Sequence, residues 1–437
     1  MYSIIPKLFP YYVLAVFLFG AHDVSSKMRV SNAKGSKLDT TFVINGIELQ
    51  GNRHTKSYII LRELGFVPGD TVARQDLEKA KKRIENLNLF NRVTFYLDQQ
   101  TLLINLTERW YVFPIPILFW NEHDFKKLSY GMGVFHYNFR GRAELLAFSG
   151  WWGFNPGYSL QYVNRWFGGK HRFYSEITFF SKRVDSKTLE FPDLEERHRG
   201  FSLVLGKRWG FYTFSDLRLE YDVLYTNYPD IMLSGTARDH LLRLQLHFKY
   251  DSRDLWEYPR RGMKAEWAFS RCSLQNFRHP YRLLKIDWRY YHPVKAWILA
   301  TRLAWEQSFG KVAVYDRLFL GYDQRVRGHF QHICEGENRS VFSLETRFPV
   351  LKIRYFDLYT TILGSYLHNL QFGVYGSLFF DSGATWFQDE KITLRHYNSG
   401  FGGGLNFLLP YSTVLRLEWA WDENLHPELI FDGNVAF

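Results

Sequence analysis

The sequence predicts an all-β transmembrane barrel of about 16 antiparallel strands, preceded by one small α+β domain. Three observations lead to this fold class. Alternation of apolar and polar residues begins after Trp110 and continues to the end of the chain. Aromatic residues make up 19% of the 437 residues, whereas the mean hydropathy is only −0.28. The connections between the alternating segments are short and long in turn. These features are typical of a barrel in which every second residue faces lipid.

The alternating segments have one apolar face and one charged face. Clear examples are residues 217–225, 242–250, 284–290 and 415–421. In a soluble sandwich the charged face would point to water. These segments are longer than typical sandwich strands, and the pattern recurs throughout, so a lipid-facing wall around a polar lumen fits better.

The lengths of the connections support the same fold. Short connections occur at 138–141, 167–170, 210–215, 292–293 and 410–411, and longer loops at 184–197 and 310–339. Short turns on the inner side and long loops on the outer side are the pattern of outer-membrane barrels. The number of segments is about sixteen, which is even, as in bacterial barrels.

The first 26 residues have the character of a signal peptide. Lys7 provides a positive charge, and an apolar run follows from Leu8 to Ala21. At about fourteen residues this run is short for a spanning helix. A signal anchor is the alternative, because no small-x-small cleavage site stands out. We therefore expect a signal peptide at 1–26, a small domain at 40–109 and the barrel at 110–437.

The small domain is predicted to have the order β-α-α-β-β. Residues 42–49 form the first strand, 57–64 and 74–87 the two helices, and 93–97 and 102–106 the last two strands. This order resembles a POTRA domain, the polypeptide-transport-associated module. The matching residues are Gly51, Asn52, Thr55, Arg62, Glu63, Leu64, Gly69, Leu87, Leu89, Phe90, Val93 and Glu108. The resemblance implies a periplasmic module whose exposed sheet edge receives a client strand. A plain spacer domain is the alternative.

A loop motif interrupts the alternation in the barrel. Val326-Arg327-Gly328-His329 follows the apolar patch 318–320 and the turn 321–323. Two further motifs are Phe379-Phe380-Asp381-Ser382-Gly383 and the pair Asp251–Asp254 and Pro259–Gly262. Together with the POTRA-like domain, these motifs resemble the outer-membrane assembly and translocation superfamily of the BamA and TamA type. That family usually has Phe or Tyr where His329 stands.

The resemblance implies a location, a function and partners. We expect an outer-membrane protein that inserts β-barrel proteins or translocates polypeptides, with the POTRA domain in the periplasm. Its expected partners are unfolded outer-membrane or secreted clients, outer-membrane lipid and accessory assembly proteins. A passive channel and a transporter dedicated to one secreted partner remain alternatives; such transporters usually carry two POTRA domains, and this chain has one.

Strand parity gives the loop arginine two candidate partners. In the segment around Phe372 the apolar positions share one face, so Asp381 points into the lumen. In 341–348 the same reasoning places Glu345 in the lumen. A buried Arg327 needs carboxylate or carbonyl partners. We therefore predict that the loop 310–339 folds into the barrel and that Arg327 pairs with Asp381, which the family resemblance favours over Glu345.

The first and last strands are expected to form a weak lateral seam. Pro114 and Pro116 each lack the N–H that a ladder needs, and the chain ends on Phe437. A barrel that opens at this seam could offer an edge to a client strand. Separately, Cys272 and Cys334 are both expected on the outer side, so a disulfide between them is left open.

Other functions have little support in the sequence. The net charge is +11, but no compact run of Lys and Arg indicates nucleic acid. The fifteen histidines lack metal-ligand spacing, so no catalytic residue, metal or cofactor is expected, and the protein is not expected to be an enzyme. The glycines of 400–404 lie in a strand context, where they are more typical of close strand packing than of phosphate binding.

Overall fold

A computed structural model describes residues 41–120, 127–186, 188–191, 193–321, 324–330, 332–358, 364–433 and 436–437. The predicted signal peptide, 1–26, lies outside the described residues, as does the turn at 322–323.

The amino-terminal domain contains five strands and two helices. They are β1 (Thr41–Val43), β2 (Gly46–Gln50), α1 (Ser57–Leu61), β3 (Thr71–Ala73), α2 (Arg74–Glu85), β4 (Phe90–Asp98) and β5 (Thr101–Glu108). Strand β5 lies in the middle of a three-stranded sheet, parallel to β2 and antiparallel to β4. Strands β1 and β3 form a separate antiparallel pair. The helices and the sheet enclose one apolar core around Ile59, Ile84 and Ile104.

The sequence prediction for this domain was wrong in three details. The expected first strand, 42–49, is two strands, because the chain turns at Asn45, whose N–H donates to the carbonyl of Gln100. Strand β3 was missed because three residues are too few to show an alternation. Both helices are shorter than predicted and end at Leu61 and Glu85.

The rest of the chain forms a sixteen-stranded antiparallel sheet, which confirms the predicted fold class. Its strands are β6 (Val112–Trp120), β7 (Leu128–Phe139), β8 (Glu144–Gly153), β9 (Gly157–Phe167), β10 (Phe173–Asp185), β11 (Glu195–Arg208), β12 (Thr213–Thr226), β13 (Arg238–Asp251), β14 (Gly262–Leu274), β15 (Tyr281–Val294), β16 (Trp297–Phe309), β19 (Asn338–Phe356), β20 (Leu370–Trp386), β21 (Asn398–Leu409), β22 (Thr413–Asp422) and β23 (Pro427–Gly433). Each strand pairs with the next barrel strand along the chain.

Short 3₁₀ helices occur in the connections, at Gly169–His171, Pro229–Ile231, Val314–Asp316, Gly364–Leu367 and Leu394–His396. No helix within the described part of the chain has the length and apolar character needed to cross a membrane.

The two faces of the sheet differ as the alternation predicts. Apolar side chains on the outer face are exposed, for example Leu246 at 49% and Trp419 at 50%. Charged side chains on the opposite face are enclosed, and Arg347 and Glu345 are among the most buried residues of the chain. The charged face therefore lines a lumen, and the apolar face is the lipid-facing wall.

The connection between β16 and β19 lies inside this lumen. It contains the strand pair β17 (Leu318–Leu320) and β18 (Cys334–Gly336), and its apolar residues Leu320 and Val326 pack on Val341 of the barrel wall. A cavity of about 2210 Å³ remains between this loop, the lumen face of the strands from β7 to β16 and helix α2. The loop strands β17 and β18 thus lie against β19 and β20, and the remaining space lies beside the strands from β7 to β16.

The sheet has two ends. Strands β6 and β23 occupy the first and last places of the strand order, and no ladder joins them within the described ranges. Strand β23 is also short, with seven residues.

Candidate functional site: a buried arginine in the barrel lumen

Arg327 lies at the tip of the inward loop and is only 3% exposed. Its Nε and Nη2 donate to the two carboxylate oxygens of Asp381 at 2.6 and 2.9 Å. Its Nη1 donates to Glu345 at 2.7 Å and to Glu418 at 2.9 Å. The structure thus brings Arg327 together with both carboxylates that strand parity had singled out, Asp381 and Glu345, and adds a third, Glu418.

Two further arginines balance the charge of this cluster. Arg347 donates from Nε to Glu345 at 2.6 Å, and Arg416 pairs with Glu418 and with Asp432. Three guanidinium groups therefore face the three carboxylates of Asp381, Glu345 and Glu418, so the charges of these six side chains cancel. This matters because a buried charge is tolerated only when it is paired and hydrogen-bonded.

The backbone around Arg327 fits against the wall because glycines leave room for it. Gly328 has φ +97°, and a Cβ there would lie 2.7 Å from the carbonyl oxygen of Trp421. A Cβ on Gly400 of β21 would lie 2.0 Å from the carbonyl oxygen of Arg327 itself. The glycine-rich run 400–404 therefore serves close packing, as the sequence indicated, and part of what it accommodates is the loop. The ring of Phe379 completes the site, 3.7 Å from the Arg327 guanidinium.

The residues that follow Arg327 in the loop are held by acidic side chains near the outer ends of β22 and β23. The carboxylate of Glu428 accepts hydrogen bonds from the backbone N–H groups of Gly328 and Phe330, both at 3.1 Å. His329, which replaces the usual aromatic residue, makes a 2.6 Å contact with Glu423. Phe330 packs on the apolar cluster of Phe379, Ala420 and Ile430. Phe330, next to His329, thus supplies an aromatic contact between the loop and the barrel wall.

The base of the loop is anchored on the opposite side of the lumen. The hydroxyl of Tyr315 donates to Asp239 at 2.7 Å, and Asp316 accepts two hydrogen bonds from Arg243 at 3.0 and 3.2 Å. Asp316 also accepts from the hydroxyl of Tyr281. The loop is therefore attached at two places, to β13 and β15 at its base and to the strands from β19 to β22 at Arg327.

The third sequence motif forms the connection between β13 and β14 and joins the amino-terminal domain to the lumen. The side chain of Asn86, at the end of α2, donates to the carbonyl of Asp254 at 3.2 Å and accepts from the N–H of Trp256 at 3.1 Å. Tyr258 of the same connection is buried in the lumen, with the Arg347 guanidinium 4.9 Å from its ring. The motif thus lies between α2 and the arginine cluster.

The amino-terminal domain is also joined to the first inner turn of the barrel. The carboxylate of Glu108 accepts hydrogen bonds from the N–H groups of His54 and Thr55, at 3.1 and 2.7 Å. Burial opposes ionisation of Glu108, but these hydrogen bonds outweigh it and lower the pKa of the carboxyl below its usual value. Asn138 donates to the hydroxyl of Thr55 at 3.0 Å. The loop organised by Glu108 therefore contacts the barrel directly.

The predicted seam residues lie in two different places. Pro114 and Pro116 are in β6 with their rings on the exposed outer face, opposite Val134 and Met132 of β7. Phe437 does not continue the last strand, which ends at Gly433. Its ring is 2% exposed and stacks with Tyr291, with centroids 6.5 Å apart. The terminal aromatic residue is therefore enclosed in the lumen and does not lie on the lipid face.

The disulfide that the sequence left open is absent, because both cysteines are free. Cys272 belongs to an apolar cluster with Leu224 and Tyr281, whereas Cys334 packs beside Leu320 and accepts a 3.2 Å hydrogen bond from Asn398. The two thiols thus lie in separate clusters.

Sequence reasoning missed Glu418, Arg416 and the anchor at Tyr315 and Asp316. The alternation in 415–421 already placed Glu418 and Arg416 on the charged face, so the same parity argument could have found them. Tyr315 and Asp316 lie in a loop without periodicity, where the sequence carries no such signal.

Comparisons with known proteins agree with this architecture. A family model for the Omp85 superfamily domain matches residues 138–428, and a POTRA model described as a surface antigen variable number repeat matches residues 42–109. A comparison with curated protein sequences returns no significant match.

Solved structures share the fold at low sequence identity. BamA from Haemophilus ducreyi lacking POTRA domains 1–3 is 18% identical, with a TM-score of 0.54 over 90% of this chain and 84% of that chain. CdiB from Acinetobacter baumannii is 14% identical, with a TM-score of 0.53 over 90% and 73% of the two chains. CdiB from Escherichia coli is 10% identical, with a TM-score of 0.52 over 94% and 92%.

The superfamily match covers well over half of the sequence, and its limits enclose Arg327 and its three carboxylate partners. The POTRA match covers the amino-terminal domain. This chain therefore belongs to the Omp85 superfamily of outer-membrane β-barrel proteins with periplasmic POTRA domains.

Proposed function

We propose that this protein inserts β-barrel proteins into the outer membrane or passes polypeptides across it, without catalysing a chemical reaction. The observation that carries the proposal is that no ladder joins β6 to β23 among the described residues, in a barrel whose lumen is partly filled by a pinned loop. Superfamily membership supports a role in barrel assembly or translocation in general. The POTRA domain would lie in the periplasm, after export directed by the predicted signal peptide.

The POTRA domain would receive the client by strand addition. A strand at the edge of a sheet has unpaired N–H and C=O groups that an extended chain can use. The edges of the POTRA sheet are β2 and β4. Asn91 and Arg92 of β4 already contact the barrel connection at Tyr366, His368 and Asn369. Strand β2 is therefore the better candidate for the client.

Site-specific crosslinking tests this assignment. A photo-reactive residue at Glu48, exposed on β2, is expected to capture unfolded client, whereas one at Val67, exposed in a POTRA loop, is the matched control. A third probe at Tyr96 reports on the β4 edge. Equal capture at Glu48 and Val67 would argue against strand addition at β2, and capture at Tyr96 alone would move the site to β4.

The barrel would open at the β6–β23 seam. The ladder between β6 and β7 runs without a register shift through Pro114 and Pro116. We infer that the N–H groups that these prolines lack would have pointed toward β23, because Pro is tolerated where the missing donor faces away from the ladder. Pairing across the seam would then be weak on the β6 side.

Crosslinking the seam tests lateral opening. In a background with both native cysteines replaced by Ala, Ile117→Cys in β6 is combined in turn with Glu428→Cys, Ile430→Cys and Asp432→Cys in β23. Proteoliposomes containing the oxidised pair that forms a disulfide are expected to stop inserting an unfolded barrel client, and reductant should restore insertion. Insertion that continues at the wild-type rate with the disulfide intact would refute the seam mechanism.

Transport through the lumen is the second candidate, and the cavity of about 2210 Å³ favours it. In that case the chain would be a transporter dedicated to one secreted polypeptide, or a passive channel. Single-channel recording with and without residues 318–336 separates these functions from insertion. Conductance that appears only when the loop is removed, together with normal client insertion in the intact protein, supports the insertase.

A further inference from the structure

A second cavity, of about 520 Å³, lies on the outer wall of the barrel at its inner end, beside the POTRA domain. It is bounded by the end of α1 and by the connections between β7 and β8 and between β9 and β10. Its lining contains four cationic side chains, Arg62, Arg142, Lys170 and Arg172, and one carboxylate, Glu144. The pocket therefore has a strong excess of positive charge.

The carboxylate in this pocket is already occupied. Glu144 is almost fully buried and accepts hydrogen bonds from Arg140 at 2.9 Å and from Asn164 at 3.2 Å. It is thus engaged by a fifth cation outside the lining and is poorly placed to neutralise the other four.

Arg62 is the most buried of the four cations, with its side chain 10% exposed, and it lies between this pocket and the lumen cavity, since it lines both. No described residue accepts a hydrogen bond from its Nε or Nη1, although both atoms are buried. Its nearest carboxylate, Glu63, lies 3.7 Å from Nε and also faces Arg208 at 3.3 Å. Burial lowers the pKa of Arg62 to about 10, as expected for a cation whose charge is incompletely compensated.

Two of these four cations, together with Arg208 of the lumen cavity, converge on one aromatic ring of the pocket. The guanidinium carbons of Arg62, Arg208 and Arg172 lie 4.4, 5.0 and 5.3 Å from the centroid of Trp166. The ring attracts each cation, but guanidinium groups gathered around one indole also repel one another. An anion held between them would reduce this repulsion and accept hydrogen bonds from Nε and Nη1 of Arg62, for which no described residue is an acceptor.

The surrounding aromatic residues give the depth of the pocket in the membrane. Phe167, Phe173 and Trp209 are exposed on the outer wall at the inner ends of neighbouring strands, with Trp209 at 61%. Such side chains form the girdle that marks the boundary between acyl chains and headgroups. The cationic pocket therefore lies at the level of the headgroups of the inner leaflet.

We propose that this pocket binds the phosphate of an anionic phospholipid of the inner leaflet. Arg62 donates to the phosphate from inside, Arg142, Lys170 and Arg172 surround it, and an acyl chain lies along Phe167. The bound lipid joins α1 of the POTRA domain to the barrel wall. This inference relies on the proposed membrane location but not on client insertion, so the two can fail separately.

Lipid retention by the purified full-length protein tests the proposal. Wild-type protein and the triple variant Arg142→Gln/Lys170→Gln/Arg172→Gln are transferred from nanodiscs of phosphatidylglycerol or phosphatidylcholine to detergent, and retained lipid is counted by native mass spectrometry. We expect the wild type to keep one phosphatidylglycerol and the triple variant to bind it on the order of a hundredfold more weakly. This figure assumes that each one or two positive charges removed near the headgroups lower the affinity about tenfold.

The control variant Arg278→Gln/Lys391→Gln/Arg395→Gln removes the same number of positive charges from exposed outer connections. It should retain phosphatidylglycerol like the wild type, and a gel assay of folded barrel should show all three proteins folded. Equal retention by the wild type and the pocket variant, equal retention of the two lipids, or displacement of the lipid by inorganic phosphate would each overturn the proposal. Loss of lipid retention in the pocket variant with undiminished client insertion would support the proposal. It would also show that the bound lipid joins the POTRA domain to the barrel without being needed for insertion.

Discussion

Replacing Arg327 by Ala should destabilise the barrel mainly through one of its three carboxylate partners. The substitution removes four side-chain hydrogen bonds. Glu345 keeps its contact with Arg347, and Glu418 keeps its contact with Arg416. Asp381 is 3% exposed and, within the described part of the chain, retains only the hydrogen bond from the backbone N–H of residue 327. One buried carboxylate is thus left without a cation, which costs about 3–5 kcal/mol.

The same reasoning predicts a partial rescue. Replacing Asp381 by Asn in the Arg327→Ala background removes the uncompensated charge, so the double variant should be more stable than Arg327→Ala by about 1–3 kcal/mol. Arg327→Lys should be intermediate, because an ammonium group keeps the charge but cannot bind Asp381 through two nitrogens and reach Glu345 and Glu418 as well.

Urea titration of the refolded protein, with folded barrel separated from unfolded chain on a gel, measures these differences. Arg278→Ala, in an exposed outer connection, is the control for loss of an arginine and should behave like the wild type. The reasoning would be refuted if Arg327→Ala changed the free energy of unfolding by less than about 1 kcal/mol, or if Asp381→Asn destabilised the Arg327→Ala protein further.

Three other predictions address the loop contact, the POTRA joint and the carboxyl terminus. Gly400→Ala should hinder docking of the loop, since its Cβ would meet the Arg327 carbonyl oxygen at 2.0 Å, whereas Gly150→Ala, in strand β8 with only ring atoms at 3.9 Å, is the control for adding a methyl group to a strand glycine; protease sensitivity of the loop distinguishes the two. Because the folded pKa of Glu108 is lowered, its contribution to stability is present above the unfolded value of about 4.3 and is lost as the pH falls through the folded value. The protection of the amides of 54 and 55 against hydrogen exchange, relative to the intrinsic exchange rate at each pH, should therefore fall at acidic pH in the wild type, and a Glu108→Gln protein that showed the same acid transition would contradict this assignment. Deleting Phe437 should lower the urea midpoint of the barrel, because it empties the space beside Tyr291, and replacement by Leu should recover part of the loss; an unchanged midpoint on deletion would show that the ring contributes nothing.

Much of the fold followed from the sequence because a barrel wall imposes one rule on every strand. The period of two identified the strands and assigned Asp381 and Glu345 to the lumen without any knowledge of their neighbours. Contacts across the lumen obey no such rule. The pairing of Asp316 with Arg243 joins residues 73 positions apart, and neither strand parity nor loop composition indicates it. The place of Phe437 was missed for the same reason. Strand parity assigns a side chain to the lumen or to the lipid face only within a strand, and the last strand ends before Phe437.

The enclosure of Phe437 has a practical consequence for handling this protein. Phe437 is 2% exposed and lies against Tyr291 and Ala300, so it has almost no contact with solvent. Any segment that follows Phe437, whether a tag or a fluorescent fusion, would need a path out of the barrel interior or would displace the ring. Tags in an exposed outer connection, such as 387–391, avoid this problem and leave Phe437 in its enclosed position.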